Sequence, residues 1–190
     1  MLNRLSQFID RNYSPYLLVT LFVPTIGFFL LFNFSNFTIH ISNPQLIHIS
    51  GGEGLLDAKL FYTAQQAYSS LTRYGEEGRA LYRNFLAADF IFALCYGFAF
   101  SMFFTRLIRA FRQTESWWTK FNLLPLSIAM ADYVENIFIF CLLISYPQNI
   151  PVLGTLAGIA TLSKNLLIFA SLLFLAAGTF FLLVRKIKAR

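Results

Sequence analysis

The sequence predicts an all-α membrane protein, a four-transmembrane-helix bundle with a small exoplasmic segment between the first and second helices. Three observations carry that expectation. The 190-residue chain is 57% hydrophobic and only 13% charged, with a mean hydropathy of +0.59, far above the apolar share of an ordinary soluble domain. Four apolar runs are long enough to cross a bilayer, which needs about 20 residues of helix. Basic residues gather in alternate connections, the pattern that orients a membrane protein. The 23 phenylalanines suit contact with lipid better than a tightly interdigitated soluble core.

Residues 1–190 read as a single transmembrane domain. The first span runs from Tyr16 to about Phe37 and contains Pro24 and Gly27, which break soluble helices but are tolerated in membrane ones. It is too long for the apolar region of a signal peptide, and no A-x-A-like cleavage site follows it. The exoplasmic segment covers about 38–84. The second span is expected over Phe85–Ile108, the third over Leu123–Tyr146 and the fourth over Val152–Val184.

Within the exoplasmic segment, Thr38–Ile41 and Leu46–Ile49 alternate apolar and polar residues around Asn43-Pro44, the pattern of a short hairpin. Thr63-Ala64-Gln65-Gln66 has the form of a capping box. It predicts a helix that starts at Thr63, ends at Gly75 and lies over the bundle. Glu76 and Glu77 then suit the positive end of a new helix leading into the second span. Asn33-Phe34-Ser35 and Asn36-Phe37-Thr38 match glycosylation acceptors, but stand too close to the apolar run to carry weight.

Orientation follows from charge. Arg4 and Arg11 precede the first span; Arg106, Arg109, Arg112 and Lys120 face only Glu115 in the second–third connection; the tail carries Arg185, Lys186, Lys188 and Arg190. The turn 146–151 is uncharged, and 38–84 balances four basic residues against four acidic ones. Both termini are therefore expected in the cytoplasm, with the chain multi-pass in a bacterial inner membrane. Trp117 and Trp118 stand where the cytoplasmic aromatic belt falls.

The same distribution argues against nucleic acid as a partner. The net charge of +6 is spread beside apolar runs, with no separate basic surface. Cys95 and Cys141 lie inside apolar runs without a CxxC spacing and read as small buried hydrophobes. His40 and His48 make no metal site without Glu53 or Asp57 to complete it, and surface histidines are the simpler reading. Gly75–Arg79 lacks the spacing of a phosphate loop. No cofactor or metal is expected.

The informative residues are ionisable ones inside apolar runs, since a charge at the bilayer centre costs at least about 2.5–3.5 kcal/mol on insertion scales. They are Asp89 in the second span, Asp132 and Glu135 in the third and Lys164 in the fourth, accompanied by Asn136 and Asn165. Asp132, Glu135 and Asn136 form one helical stripe, as do Tyr82, Asp89 and Tyr96, and Thr161, Lys164, Asn165 and Ile168. Glu135 lies eleven residues before Tyr146 and Lys164 twelve after Val152, so both sit about 17 Å below the connecting turn. An ion pair between Glu135 and Lys164 is expected, with Asp89 facing the same cavity and Asp132 one turn nearer the cytoplasm. The alternative is that these groups only hold the helices in register. The excess of carboxylates over one lysine favours a site.

Tyr74-Gly75-x-x-Gly78-Arg79-x-x-Tyr82, then Asp89 and Tyr96, then Asp132-Tyr133-x-Glu135-Asn136 and Lys164, preceded by Phe61-Tyr62-Thr63, resemble a family of uncharacterised four-span bacterial membrane proteins. The resemblance covers about 55–170, and D-x-x-E-N within a span is its most specific part. Ala93 stands where that family is expected to carry a proline. The resemblance implies the four-span topology and the importance of Asp89, Asp132, Glu135, Asn136 and Lys164; it implies no activity. The order of one span, an exoplasmic segment and three further spans is also loosely similar to claudin bundles, in layout alone.

The expected role is binding of an amphiphile, a membrane lipid or isoprenoid-like molecule, in a cavity open toward the outer leaflet. Its head would meet Asp89, Glu135, Asn136, Lys164 and Arg79, and a carboxylate would serve as acid or base in proton transfer. A proton- or ion-coupled carrier uses the same groups as a relay, and with four spans it requires a homo-oligomer. A structural or accessory membrane protein needs them only for packing.

Overall fold

The computed structural model describes residues 2–34, 41–110 and 116–188. The second glycosylation pattern, the end of the first pattern and of the first expected span, His40, Arg112, Glu115 and Arg190 lie outside them. The helices are α1 (Leu2–Arg11), α2 (Pro15–Phe34), α3 (Asn43–Ile49), α4 (Ala64–Ala110), α5 (Ser116–Thr119), α6 (Leu124–Ser145) and α7 (Pro151–Lys188), with 3-10 turns at Leu56–Ala58 and Lys120–Leu123. No strand forms among the described residues. Four stretches, Pro15–Phe34, Ala64–Ala110, Lys120–Ser145 and Pro151–Val184, are long and apolar enough to cross a membrane. The chain is thus a multi-pass integral membrane protein with an all-α bundle.

The bundle is built around α4 and α6. About two-fifths of their apolar windows is buried (44% each), against 17% for α2 and 11% for α7, so the outer pair presents most of its surface outward. Val19, Val23 and Ile26 on α2 and Leu166, Phe169 and Leu173 on α7 are all more than half exposed. Apolar residues on every side of a helix are what contact with lipid requires. An aromatic seam seats α2 on α4: Phe32 lies 4.5 Å from Phe85 and 5.5 Å from Phe92, and Phe22 lies 5.3 Å from Phe100. Small residues let α4 and α6 approach closely, since a Cβ on Gly97 would come 2.9 Å from that of Ala129.

The segment before the second span forms a helical cap, and here one expectation is corrected. Residues 43–49 form helix α3, not the second arm of a hairpin; Thr38–His40, in its first arm, lie outside the described residues. The alternating pattern is overridden by local chemistry. Ser42 caps the helix by accepting from the Gln45 backbone, the Gln45 side chain accepts from the Ser42 backbone, and Pro44 occupies the first turn. Helical spacing then buries Leu46 completely, while His48 is exposed.

The second expectation holds. The Thr63 backbone donates to Gln66 Oε1 at 2.8 Å and Gln66 donates to Thr63 Oγ1 at 3.3 Å, so the capping box is formed. At Gly75 the backbone leaves helical geometry (φ 61°, ψ −170°), breaking α4 into two arms. Only glycine takes up that conformation readily. The first arm rests on the turn between α6 and α7: Ile150 N donates to Tyr68 Oη at 2.7 Å and Thr72 Oγ1 lies 3.3 Å from Tyr146 Oη, while just past the break the Arg79 guanidinium stacks 4.2 Å from the Tyr146 ring. Glu53 ties the preceding loop to this arm through Lys59 (2.5 Å), Ser70 (2.8 Å) and Arg73 (3.1 Å). Burial disfavours its charge, but these three donors outweigh that and hold its carboxyl below the usual glutamate range.

Helix α1 is a feature that span-by-span reading of the sequence does not anticipate. Leu2, Leu5, Phe8 and Ile9 give it an apolar face by helical spacing; Ile9 and Ser6 are buried, and Leu2 and Phe8 are exposed. Asn122 fastens it to the bundle, donating to the Ser6 carbonyl at 3.1 Å and to Thr105 Oγ1 at 3.2 Å. Arg109 pairs with Asp10 at 2.9 Å.

The cap is seated on α7 by two glycines one turn apart. A Cβ on Gly158 would stand 2.0 Å from the Tyr62 carbonyl oxygen, and one on Gly154 would stand 2.8 Å from Ala64. Gly158→Ala is therefore expected to push the cap off α7 and destabilise the protein by about 3 kcal/mol, the upper end for overpacking. Gly27→Ala, with open space around the new methyl, should be neutral or stabilising by about 0.5–1 kcal/mol. Unfolding titrations in mixed micelles check both; equal effects would contradict this seating of the cap.

Candidate functional site

The polar residues of α4, α6 and α7 converge. Lys164 is anchored between two carboxylates one turn apart on α6: its Nζ lies 3.0 Å from Asp132 Oδ1 and forms a close ion pair with Glu135. All three side chains are at least nine-tenths buried. The expected Glu135–Lys164 pair is present, and Asp132, one turn away on α6 as expected, shares the same lysine. Lysine reaches both because residues at i and i+3 share a helix face.

Each acid has a further neutral partner. Thr161 Oγ1, one turn before Lys164, donates to Glu135 Oε1 at 2.5 Å, and Tyr96 Oη donates to Asp132 Oδ2 at 2.9 Å. Asn136 Nδ2 donates to Asp89 Oδ2 at 2.7 Å. Thus two bonded groups, Asp89–Asn136 and Tyr96–Asp132–Lys164–Glu135, stand side by side as one polar cluster across three helices.

Two expected members are employed elsewhere. Asn165 donates to the carbonyls of Lys59 and Leu60 at 3.1 and 3.2 Å, holding the cap loop onto α7. Arg79 donates to the Leu71 carbonyl at 2.9 Å and stacks on Tyr146. Both side chains stabilise the cap, so neither joins the ion cluster.

Asp57 is the member that sequence reasoning missed as a partner of the cluster. It sits on the 3-10 turn of the cap, and Tyr82 Oη donates to its Oδ1 at 2.5 Å. The same hydroxyl accepts from the backbone of Leu56 at 3.0 Å and of Asp57 at 3.2 Å. Tyr82, wholly buried on α4, thereby fixes where the carboxylate points. Burial pushes the Asp57 carboxyl above the usual aspartate range, while Lys164 and Tyr82 act the other way. The side chain is only half-buried, and its open surface faces a cavity.

That cavity, of about 380 Å³, runs along the bundle between α2 and α7, floored by α4 and α6. Asp57, Asp89, Asp132 and Lys164 line one end; Phe100, Phe104, Ile128 and Leu175 line the other. From Phe85 to Phe104 the lining of α4 extends about 28 Å at helical rise. The two flanking helices both pack on α4 but not substantially on each other among the described residues, which leaves a lateral cleft between them. At the far end Phe174 stacks on Phe104 and Phe121, with ring centroids 5.2 and 4.8 Å apart.

Among the described residues no group of His, Cys, Asp and Glu has the arrangement of a metal site. The chemistry on offer is that of an anionic, acceptor-rich recess continuous with an apolar slot. No family model, curated protein or solved structure matches the chain.

Because Lys164 serves two acids, its removal is expected to do more damage than removal of either partner. Lys164→Met leaves Asp132 and Glu135 buried without a cation, and should destabilise by about 3–5 kcal/mol or more. Glu135→Gln, which leaves the Asp132 pair intact, should cost clearly less. Combining the two should restore only part of the loss, since Asp132 still lacks its cation. Unfolding titrations of the three variants read this directly, and full recovery in the double variant would contradict the shared lysine.

Proposed function

We propose that this membrane protein binds an amphiphile, a lipid- or isoprenoid-like molecule, with its head at the ion cluster and its chain in the apolar slot. The observation that carries this reading is the form of the cavity: charged over one half, apolar over the other, and flanked by two helices that leave a lateral cleft. A small-molecule site is generally a largely apolar recess with a few convergent polar groups. Lateral access gives a bilayer-dissolved molecule a route that does not cross the cap. Proton transfer by one of the carboxylates is a chemistry the site would support once a ligand is bound.

A cavity-filling variant tests it. Ile168 lines the cavity one turn from Lys164. Ile168→Trp should lower retention of a co-purifying amphiphile by about ten-fold while leaving the helical content unchanged. Native mass spectrometry of protein extracted in lipid-polymer discs measures this. Equal retention by both proteins, or no species retained beyond bulk bilayer lipid, would overturn the proposal.

The orientation belongs to the same reading. Both termini and the α4–α6 connection are assigned to the cytoplasm of an inner membrane, and the cap and the head end of the cavity to the outer side. Support comes from the basic residues at one end, with Arg106, Arg109 and Lys120 around the α4–α6 connection. With Cys95 and Cys141 replaced, Ser69→Cys on the cap and Lys120→Cys at the other end should be labelled by impermeant maleimide from opposite sides. Labelling from the same side would contradict the assignment.

A further inference from the structure

The ion cluster has one lysine and more carboxylates than that lysine neutralises. Lys164 is shared between Asp132 and Glu135. Asp89 and Asp57 both line the cavity and have no cation within ion-pair distance among the described residues. Among these residues Asp89 is met by the Asn136 amide alone, and Asp57 by the Tyr82 hydroxyl and its own backbone N–H, neutral donors to groups that accept several hydrogen bonds.

Unfilled hydrogen-bonding capacity accompanies them. Asn136, wholly buried with its amide nitrogen committed to Asp89, leaves its Oδ1 without a donor. Further along the cavity wall the hydroxyl of Ser171, more than nine-tenths buried, has no partner among the described residues. Buried polar atoms are rarely left unpaired unless a water, ion or ligand completes them. What Asp57 and Asp89 lack among the described residues is a cation. An anionic head group would instead meet three cavity-lining carboxylates, Asp57, Asp89 and Asp132, across a lysine already shared between Asp132 and the buried Glu135.

Resting on the amphiphile reading, we infer that the head group this cavity takes is cationic and hydrogen-bond donating: a protonated amine carried on an apolar chain, seated between Asp57 and Asp89. The ammonium supplies three donors in a compact head. Its chain then follows the slot past Ser171 toward Phe104 and Leu175. Asp57 comes from the cap and Asp89 from α4, so the head group bridges the two and its binding draws the cap onto the bundle.

Equilibrium binding to the full chain in discs of zwitterionic lipid tests this, with empty discs subtracting partition into the bilayer. The probes are dodecylamine, dodecanol and dodecanoate, which share a chain and differ in head charge. Dodecylamine should bind about ten-fold more tightly than dodecanol, and dodecanoate the most weakly. Asp57→Asn combined with Asp89→Asn should abolish that preference while leaving dodecanol binding within about two-fold. Equal affinity for all three probes, a preference for dodecanoate, or an amine preference that survives the double change would overturn the head-group assignment and leave the amphiphile reading standing. Absence of saturable binding for every probe would overturn both. Should the double variant fail to fold, the ranking of the three probes on the unaltered chain still decides the assignment.

Discussion

The shared ion pair of Lys164 with Asp132 and Glu135 is the constraint around which the bundle is organised. Three buried charges on two helices, all engaged with one another, fix the axial and rotational position of α7 against α6. Apolar packing alone supplies little such specificity between membrane helices, because lipid chains are as apolar as leucine. Buried ion pairs are poor sources of stability and good sources of registry. With α7 fixed, Thr161 falls on Glu135 and Asn165 falls beneath the cap loop. One lysine thus sets the height at which the cap meets the bundle.

The cap is the second consequence. It rests on α7 through glycines that let backbone touch backbone, and on α4 through Tyr82, which ties the Asp57 turn to the second span. Bundle and cap therefore share residues: Tyr82, Asp89 and Tyr96 stand along one face of α4 and reach, in turn, the cap, α6 through Asn136, and α6 through Asp132. The cavity forms where this face remains uncovered between α2 and α7. Its charged end is where cap and ion cluster meet, and its apolar end is simply the interior of a phenylalanine-rich bundle. Charge excess and apolar depth arise from the same arrangement.

Much of this is legible in the sequence, for identifiable reasons. Transmembrane spans announce themselves by length and hydropathy. Helical spacing puts Asp132, Glu135 and Asn136 on one face, and counting residues from a short turn places Glu135 level with Lys164. The Thr63 capping box and the break at Gly75 are local chemistry and equally readable. The hairpin reading fails because residues 46–49 alternate only in part, Leu46 and Ile47 being adjacent apolar residues, while the capping signal of Ser42, Pro44 and Gln45 lies outside that window. Asp57 escapes because a carboxylate in a loop has no periodicity; only the fold brings it to Tyr82. Arg79 and Asn165 stand beside the site in the sequence, yet their donors go to carbonyls of the cap, a choice set by backbone positions that spacing does not encode. Helix α1 has a readable trace in Leu2, Leu5, Phe8 and Ile9, but a short amphipathic run is easily overlooked beside a long apolar one.

The position of one lysine between two acids is directly measurable. Solid-state NMR on protein in lipid bilayers, with labelled lysine nitrogen and labelled Asp and Glu carboxyl carbons, reads the distance from a lysine Nζ to each carboxyl through dipolar recoupling. A shared lysine predicts short distances from the Lys164 nitrogen to both Asp132 Cγ and Glu135 Cδ. Asp132→Asn, which takes the label out of that position, should abolish the first coupling and keep the second. A Lys164 nitrogen close to neither carboxyl, or to one alone, would contradict it.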